Sequence, residues 1–422
     1  MRQVPQGWRL VRLAEVADTA LGKMLDRGKP KGLPQVPYLR NMNVQWGHVD
    51  TEDISTMELA DDERERFAVQ DGDLLACEGG DIGRAAIWRG GSGYMAYQKA
   101  VHRVRSKGEL HLPYLRYLLE LYSCNGTLKR FSTGSTIAHL PQQRFRELPI
   151  PLPPLHEQRQ IVGILEDHLS RLDAADEGLA KGNRRLRAMH KSVLATLIPE
   201  ADRYPQCWRR VTVADAGKIE LGRQRHPDWH VGPNMRPYLR VANVFEDRLD
   251  LRDVKEMHWP DGTFERFRLR PGDVLLNEGQ SPELIGRPAL YRGEGGEIAF
   301  TNSILRFQAC DQVLPEFALL VFRRHMHTGR FTREARITTN IGHLSAARLK
   351  AVEFPIPPLD EQNRLVALAK EQLESIARLR GEIGASRRRS AGLRQALLAA
   401  AFSGRPTGRP SELETVEEMA RV

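Results

Sequence analysis

The chain has 422 residues, which is too long for a single ordinary hydrophobic core, so two or three domains are expected. Hydrophobic residues make up 41% of it and charged residues 28%, which excludes a disordered chain and a membrane-embedded one. The formal net charge of +9 suits a polyanionic partner, and the lack of a long apolar run or a signal-like start predicts a cytoplasmic protein.

The sequence repeats itself with a period of about 200 residues, which is the length of a domain with an appendage. Five matches follow one another in the same order, which chance does not produce. The matching segments are PYLRNMNV (37–44) and PYLRVANV (237–244), DGDLLACEGG (71–80) and PGDVLLNEGQ (271–280), IGRAAIW (82–88) and IGRPALY (285–291), IAHL (137–140) and IGHL (341–344), and PPLHEQ (153–158) and PPLDEQ (357–362).

The first part of each copy, residues 1–152 and 201–356, has the composition of an α+β domain. Glycine, proline and aromatic residues are frequent, and short apolar runs end at turn signals such as Asp71-Gly72-Asp73. One helix is predicted in each part, over residues 113–122 and 315–324, and the strand order stays open.

A long helix is predicted in the second part of each copy, over residues 156–197 and 360–402, after a proline cluster that a first helical turn tolerates. An apolar heptad repeat predicts that segments 153–200 and 357–404 form an intramolecular antiparallel coiled coil about 60 Å long. Such a pair gives the chain a pseudo-two-fold axis and leaves residues 405–422 as a tail. The seam comprises Leu165, Leu172, Leu179, Leu186 and Val193 with Ile376, Ile383 and Leu397, and Leu169, Ala175, Met189, Ala369, Leu373, Leu379 and Leu393 fill neighbouring positions.

Short motifs recur at fixed places in the two copies. They are Gly7-Trp8-Arg9, residues 72–75, Ile82-Gly83-Arg84 and residues 152–158 in the first copy, and Cys207-Trp208-Arg209, residues 272–275, Ile285-Gly286-Arg287 and residues 355–362 in the second. A further motif, Ala401-Phe402-Ser403-Gly404, stands near the end of the chain. With these motifs the chain resembles the DNA-specificity subunits of Type I restriction–modification systems over essentially its whole length. The proline segment, the Glu-Gln pair and the long helix, present twice, are the specific part of this resemblance.

The resemblance implies a function for each part of the chain. Each α+β part would be a target recognition domain that reads one half of a bipartite, asymmetric site in double-stranded DNA. The helices would set the spacer length and dock two methyltransferase (M) subunits, which carry S-adenosylmethionine and methylate adenine N6. Restriction/translocase (R) subunits with ATP and Mg²⁺ would join them, and this chain would hold no cofactor and perform no catalysis.

The sequence lacks the motifs of that chemistry. It contains no Asn/Asp-Pro-Pro-Tyr/Phe segment for a flipped adenine, no phosphate-binding P-loop and no Gly-x-Ser-x-Gly nucleophile elbow. The pairs His325/His327 and His226/His230 have no cysteine or carboxylate at ligand spacing, so surface histidines are expected and no metal site. We therefore assign no catalytic residue.

DNA contacts are expected in polar segments of both copies. The shared Arg84 and Arg287 suggest a common role at the DNA backbone, whereas the differing pairs Gln98-Lys99 and Thr301-Asn302 suggest that different bases are read. Base readout needs paired donors and acceptors, as on arginine, lysine, asparagine and glutamine, whereas phosphate contacts need basic or hydroxyl groups. The predicted contacts are Lys23, Arg27, Arg84, Gln98, Lys99, Ser135 and Thr136 in the first copy and Arg223, Arg225, Arg287, Thr301, Asn302, Thr339 and Asn340 in the second.

Several alternatives stay open at this point. Each of these residues is also compatible with an ordinary surface or turn role, and Arg40 and Arg240 are equally candidates for structural ion pairs. Two other functions compete with DNA specificity. One is a fused or degenerate enzyme with its own nuclease or methyltransferase centre, and the other is a coiled-coil adaptor that binds protein and not DNA.

Overall fold

A computed structural model describes residues 4–25, 32–91, 93–134, 138–338 and 340–404 of the chain. The chain divides into two compact units, each described by itself. Unit 1 comprises Met1–Leu179 and Gly384–Val422, and unit 2 comprises Ala180–Ile383. Each unit therefore contains one predicted recognition domain together with part of each long helix.

Unit 1 is a mixed α/β structure, as the sequence predicts. Its strands are β1 (Arg9–Arg12), β2 (Ala17–Leu21), β3 (Gln35–Leu39), β4 (Ser55–Glu58), β5 (Leu74–Cys77), β6 (Ala85–Ile87), β7 (Ala96–Tyr97), β8 (Val101–Ser106) and β9 (Pro149–Leu152). Its helices are α1 (Leu13–Val16), α2 (Arg64–Phe67), α3 (Leu112–Cys124), α4 (Thr127–Phe131) and α5 (Gln142–Arg146), followed by the start of α6 (Leu155–Leu197).

Three sheets organise unit 1. Strands β2, β8, β5 and β6 form a four-stranded antiparallel sheet in that order. Strand β3 lies between β4, to which it is antiparallel, and β7, to which it is parallel, and β1 pairs with β9. Helix α3 has a proline in its first turn, and it buries Tyr114, Leu115 and Leu118 in the core that the four-stranded sheet shares.

Unit 2 repeats these elements. Its strands are β10 (Arg209–Thr212), β11 (Gly217–Leu221), β12 (Met235–Leu239), β13 (Val244–Phe245), β14 (Arg248–Leu249), β15 (Lys255–His258), β16 (Val274–Asn277), β17 (Gly279–Gln280), β18 (Pro288–Leu290), β19 (Ala299–Phe300), β20 (Ile304–Ala309), β21 (Arg336–Thr338), β22 (Ile341–His343) and β23 (Glu353–Ile356). Its helices are α7 (Val213–Ala216), α8 (Thr263–Phe267), α9 (Pro315–His327), α10 (Arg330–Glu334) and α11 (Ala346–Lys350), and α12 (Leu359–Ala401) begins in this unit.

The strand order of unit 2 matches that of unit 1. The four-stranded sheet runs β11-β20-β16-β18, a second sheet runs β15-β12-β19 with β12 and β19 parallel, and β10 pairs with β23. Two small sheets, β13-β14 and β17-β22-β21, complete the unit. The repeat in the sequence is therefore a repeat of topology.

The two long helices confirm the expectation from the heptad repeat. Within unit 1, Leu165 and Leu397 are buried in one core. The Ser390 hydroxyl donates to Asp176 at 3.0 Å and Arg394 lies 2.7 Å from Asp173, so the helix segments run in opposite directions. Within unit 2, Ile376 is buried in the core that also contains Leu194, and Gly182 and Ser390 interrupt neither helix.

Three residues assigned to the neighbourhood of the seam, Ala175, Met189 and Leu379, are instead exposed. Met189 is 52% exposed and Leu379 is 46% exposed, because a pair of helices covers only a narrow strip of each partner. Three seam residues, Leu165, Ile376 and Leu397, are fully buried in cores that also contain recognition-domain residues. The other seam residues are partly buried, namely Leu172, Leu179, Leu186, Val193 and Ile383.

Among the described residues, no helix combines the length and the apolar character that crossing a membrane requires. The tail at residues 405–422 lies outside the described part of the chain.

Candidate nucleic-acid interface

In unit 1 the structure brings together three of the predicted DNA contacts, Lys23, Gln98 and Lys99, which we call the first junction. The backbone N–H of Lys23 donates to Tyr97 O at 2.9 Å, and the N–H of Lys99 donates to Lys23 O at 2.9 Å. The N–H of Gln98 donates to Leu39 O at 2.9 Å. The chain after β2 is thus fixed against the turn between β7 and β8.

In unit 2 Arg223, Thr301 and Asn302 form the corresponding second junction. The N–H of Arg223 donates to Phe300 O at 3.2 Å, and the N–H of Asn302 donates to Arg223 O at 3.0 Å. The N–H of Thr301 donates to Leu239 O at 3.1 Å. The same backbone scaffold therefore carries different side chains in the two copies.

A glycine before each junction permits this close approach. A Cβ atom on Gly22 would lie 2.1 Å from Tyr97 O, and one on Gly222 would lie 2.3 Å from Thr301 O. Neither distance is compatible with a side chain, so both junctions need glycine at this position. The sequence places a Leu-Gly pair before both basic residues, which is the signal that could have pointed to this contact.

The junction side chains differ in what they offer to a ligand. Lys99 is exposed and Gln98 and Asn302 are half-buried, whereas the Lys23 ammonium is held by Glu63 at 2.5 Å. Thr301 is fully buried, and its hydroxyl donates to Leu239 O at 3.1 Å. The hydroxyl of Thr301 is thus used inside the fold, which leaves Asn302 as the available group of that pair.

Arg223 is held between two aromatic rings that the sequence did not connect to it. Its guanidinium lies 3.8 Å from the ring centre of Trp229 and 4.8 Å from that of Trp259, and it donates to His258 O at 2.7 Å. Burial lowers the pKa of Arg223. The stacked arginine shapes the second junction, and only 8% of its surface is exposed.

Arg84 and Arg287, for which the sequence suggests a common role, are each anchored within their own unit. Arg84 donates to Asn41 O at 2.9 Å, and the Arg287 guanidinium lies 4.7 Å from the ring centre of Phe245. Burial also lowers the pKa of Arg287. Arg225 and Asn340 are exposed. Four predicted contacts, Arg27, Ser135, Thr136 and Thr339, lie outside the described residues.

Arg40 and Arg240, the arginines of the repeated PYLR segment, form structural ion pairs rather than offering free guanidinium groups. Arg40 pairs with Asp53 at 2.7 Å, and Arg240 pairs with Asp253. These ion pairs close equivalent loops in the two copies.

The expectation of surface histidines without a nearby carboxylate is wrong for His325 and His327. His325 is fully buried and contacts the backbone oxygen of Glu353 at 3.0 Å. His327 lies 3.0 Å from Glu246, and His190 lies 3.4 Å from the same carboxylate. Sequence spacing could not reveal this cluster because α6, α9 and the turn after β13 each supply one member.

The chain is similar to known specificity subunits of Type I restriction enzymes. A family model described as the Type I restriction modification DNA specificity domain matches residues 5–179. The EcoKI specificity subunit of Escherichia coli K12 is 18% identical over 96% of this chain and 90% of its own length. Residues 5–179 therefore match the Type I restriction modification DNA specificity domain. The StySPI specificity subunit of Salmonella potsdam is 20% identical over 96% of this chain and 90% of its own length.

Solved structures share the fold of this chain. A chain from a structure that describes complex assembly of the type I R-M system aligns with a TM-score of 0.75 at 20% identity, covering 96% of this chain and all of that one. The HsdS subunit from Thermoanaerobacter tengcongensis aligns with a TM-score of 0.51 at 19% identity, over 96% of this chain and 98% of that one.

Proposed function

We propose that this chain is the sequence-specific DNA-binding subunit of a Type I restriction–modification complex, in which each recognition domain reads one half of a bipartite, asymmetric site. One observation carries the proposal: the two junctions share their backbone hydrogen bonds but present different side chains. A conserved scaffold with exchanged side chains is what two domains need when they read two different half-sites.

The available groups suit DNA. Lys99 is an exposed cation for a phosphate or for guanine, Gln98 offers both a donor and an acceptor, and Asn302 has the amide that pairs with adenine. The net charge of +9 adds a favourable, salt-dependent contribution to binding.

The remaining parts of the proposal concern partners. The long helices would dock two M subunits and set the spacer, and R subunits would complete the complex in the cytoplasm. S-adenosylmethionine, ATP and Mg²⁺ would be bound by those partners, and this chain would be non-catalytic. The family and the absence of catalytic motifs from the sequence support this division of labour.

A domain exchange tests the proposal. Residues 1–152 are replaced by the first recognition domain of another specificity subunit, the chimera is assembled with its M subunits, and the methylated motif is sequenced in a host genome. We expect one half of the motif to change while the other half and the spacer stay the same. A change in both halves would contradict the assignment of one domain to one half-site.

A point variant sharpens this test within the second domain. Asn302→Ala should relax base preference in the second half-site only, at a cost of about 1–3 kcal/mol in binding. The matched control is Asn363→Ala, an exposed asparagine on α12. If the affinity of the assembled complex for duplex DNA depended neither on base sequence nor on salt concentration, this chain would be better described as an adaptor that binds protein.

A further inference from the structure

Unit 2 contains a cluster of two histidines and one carboxylate, and the described residues of unit 1 contain no such cluster. Glu246 Oε1 lies 3.0 Å from His327 Nε2 and 3.4 Å from His190 Nε2. The ligand atoms of the three residues all lie within 4.8 Å of one another. The repeat aligns these positions with Trp46, Cys124 and Arg394 in the first copy, which do not form such a set.

The spacing fits a tetrahedral transition-metal site. Zinc binds imidazole nitrogen and carboxylate oxygen at about 2.0–2.2 Å, so neighbouring ligands of a tetrahedral ion stand about 3.3 Å apart. The two separations from Glu246, 3.0 Å and 3.4 Å, lie close to that value, and the two histidine ligand atoms lie within 4.8 Å of each other. Two histidines and one glutamate with an open fourth position are a common ligand set for such ions.

The guanidinium of Arg323 lies where a metal ion would bind, between Glu246 and His190. Its Nε donates to Glu246 Oε1 at 2.8 Å, and one guanidinium nitrogen lies 3.3 Å from His190 Nε2. Asp247 offers the same guanidinium a second carboxylate at 3.6 Å and is itself paired with Arg292. A cavity of about 570 Å³, lined by Glu246, Asp247 and Arg323, gives space for the arginine to move and for an ion to enter.

The backbone at Asp247 supports a dedicated role for its carboxylate. Asp247 has a left-handed φ of 51°, where the first copy has Gly47 with a φ of 80°. A non-glycine residue costs about 1 kcal/mol or more in this conformation. The Asp247 carboxylate lies beside the arginine that competes with an ion.

We propose that His190, Glu246 and His327 bind a divalent transition-metal ion such as Zn²⁺ or Ni²⁺ while Arg323 turns to Asp247. The ion would join α6 to the end of α9 and to the turn after β13, and so fix the second recognition domain on the long helix within unit 2. This proposal does not depend on DNA binding, because none of the three ligands belongs to a junction.

Metal binding to the untagged, chelator-treated full-length chain tests the proposal. Titration calorimetry with Zn²⁺ or Ni²⁺ and the visible spectrum with Co²⁺ should report one tight site with nitrogen ligands. His190→Asn and His327→Asn should each weaken binding by at least about tenfold. The matched control is His343→Asn, since His343 also faces a carboxylate, Glu278 at 3.3 Å, but without a second histidine.

Misfolding of the histidine variants would also weaken metal binding, so a variant that is expected to bind more tightly is needed as well. Arg323→Gln removes the competing cation and should tighten metal binding, which a damaged fold would not do. Absence of a tight site in the wild-type chain, or equal affinity in the wild type and in both histidine variants, would overturn the proposal.

Discussion

Gln158 Oε1 accepts a hydrogen bond from the backbone N–H of His111 at 2.8 Å and so joins the start of α6 to the start of α3. The Gln158 amide also donates to Glu109 O and Pro153 O, each at 2.9 Å, and its side chain is fully buried. Three hydrogen bonds thus satisfy one buried amide. The proline–Glu-Gln motif is therefore the connection between a recognition domain and its long helix.

Gln362 makes the same three contacts in unit 2. It accepts from Leu314 N at 2.9 Å and donates to Gln312 O and Pro357 O, each at 2.8 Å. The repetition explains why this motif stands in the sequence twice.

Replacing this amide should destabilise the unit that contains it. Gln158→Leu leaves a buried N–H and two carbonyl groups without partners, so we expect unit 1 to lose about 2–4 kcal/mol in its free energy of unfolding. Urea denaturation measures the change. Gln143→Leu, at an exposed glutamine on α5, should change stability by about 0.5 kcal/mol or less. Equal effects of the two substitutions would refute the structural role of the motif.

The glycine before the second junction should not tolerate a side chain. In Gly222→Ala the new Cβ meets Thr301 O at 2.3 Å, so the strand must shift at a cost of about 1–3 kcal/mol, and second half-site recognition should weaken with it. Thermal unfolding and DNA binding report the two effects. Gly381→Ala, in α12 with open space around its Cβ, should instead stabilise by about 0.5–1 kcal/mol. A harmless Gly222→Ala would show that the junction is not tightly packed.

Unit 1 should lose stability in mild acid through His102. This buried ring stacks on Phe145 with 4.4 Å between ring centres, and its Nε2 contacts Leu140 O at 2.8 Å. Burial lowers the pKa of His102 to about 4, below the usual 6.5, so the unfolded chain takes up the proton first. The free energy of unfolding therefore keeps its full value above pH 6.5. It falls by about 3 kcal/mol as the pH is lowered towards 4.

The matching experiment follows stability against pH. His102→Leu should flatten this part of the profile of unit 1 between pH 7 and pH 4, whereas His48→Leu, at an exposed histidine, should leave it unchanged. An identical slope in His102→Leu and the wild type would show that His102 does not cause the loss.

Lys99 should contribute to DNA binding through charge. If it contacts a phosphate, Lys99→Ala weakens binding for all sequences and reduces the slope of log affinity against log salt by about one. Lys370→Ala, at an exposed lysine on α12, serves as the control and should keep the wild-type slope. A Lys99→Ala variant that lost discrimination between sequences at a constant slope would point to a base contact instead.

The architecture could be predicted where local patterns are strong. The helices were expected from residues 156 and 360, and they begin at Leu155 and Leu359. Proline clusters fix the starts and the heptad repeat fixes the pairing, because both are local in sequence. The internal repeat likewise predicts two domains of one topology.

Contacts between distant segments could not be predicted in the same way. Glycine and proline reveal turns but not strand order, so the sheet order in each unit required the structure. The stacking of Arg223 on Trp259 and the meeting of His190 with Glu246 join residues far apart in the chain, and no periodicity marks such contacts. A heptad pattern can also suggest burial that does not occur, since Met189 is apolar and lies near a heptad position but faces solvent.

The division of the chain has a consequence for its synthesis. Unit 1 combines Met1–Leu179 with Gly384–Val422, so the apolar stripe around Leu165 waits for Leu397 before it is covered. At about 5–20 residues per second, a ribosome needs about 10 to 40 s to translate the intervening stretch. Unit 2 is synthesised during that interval, so the apolar stripe of the first helix in unit 1 stays uncovered until translation has passed Leu397.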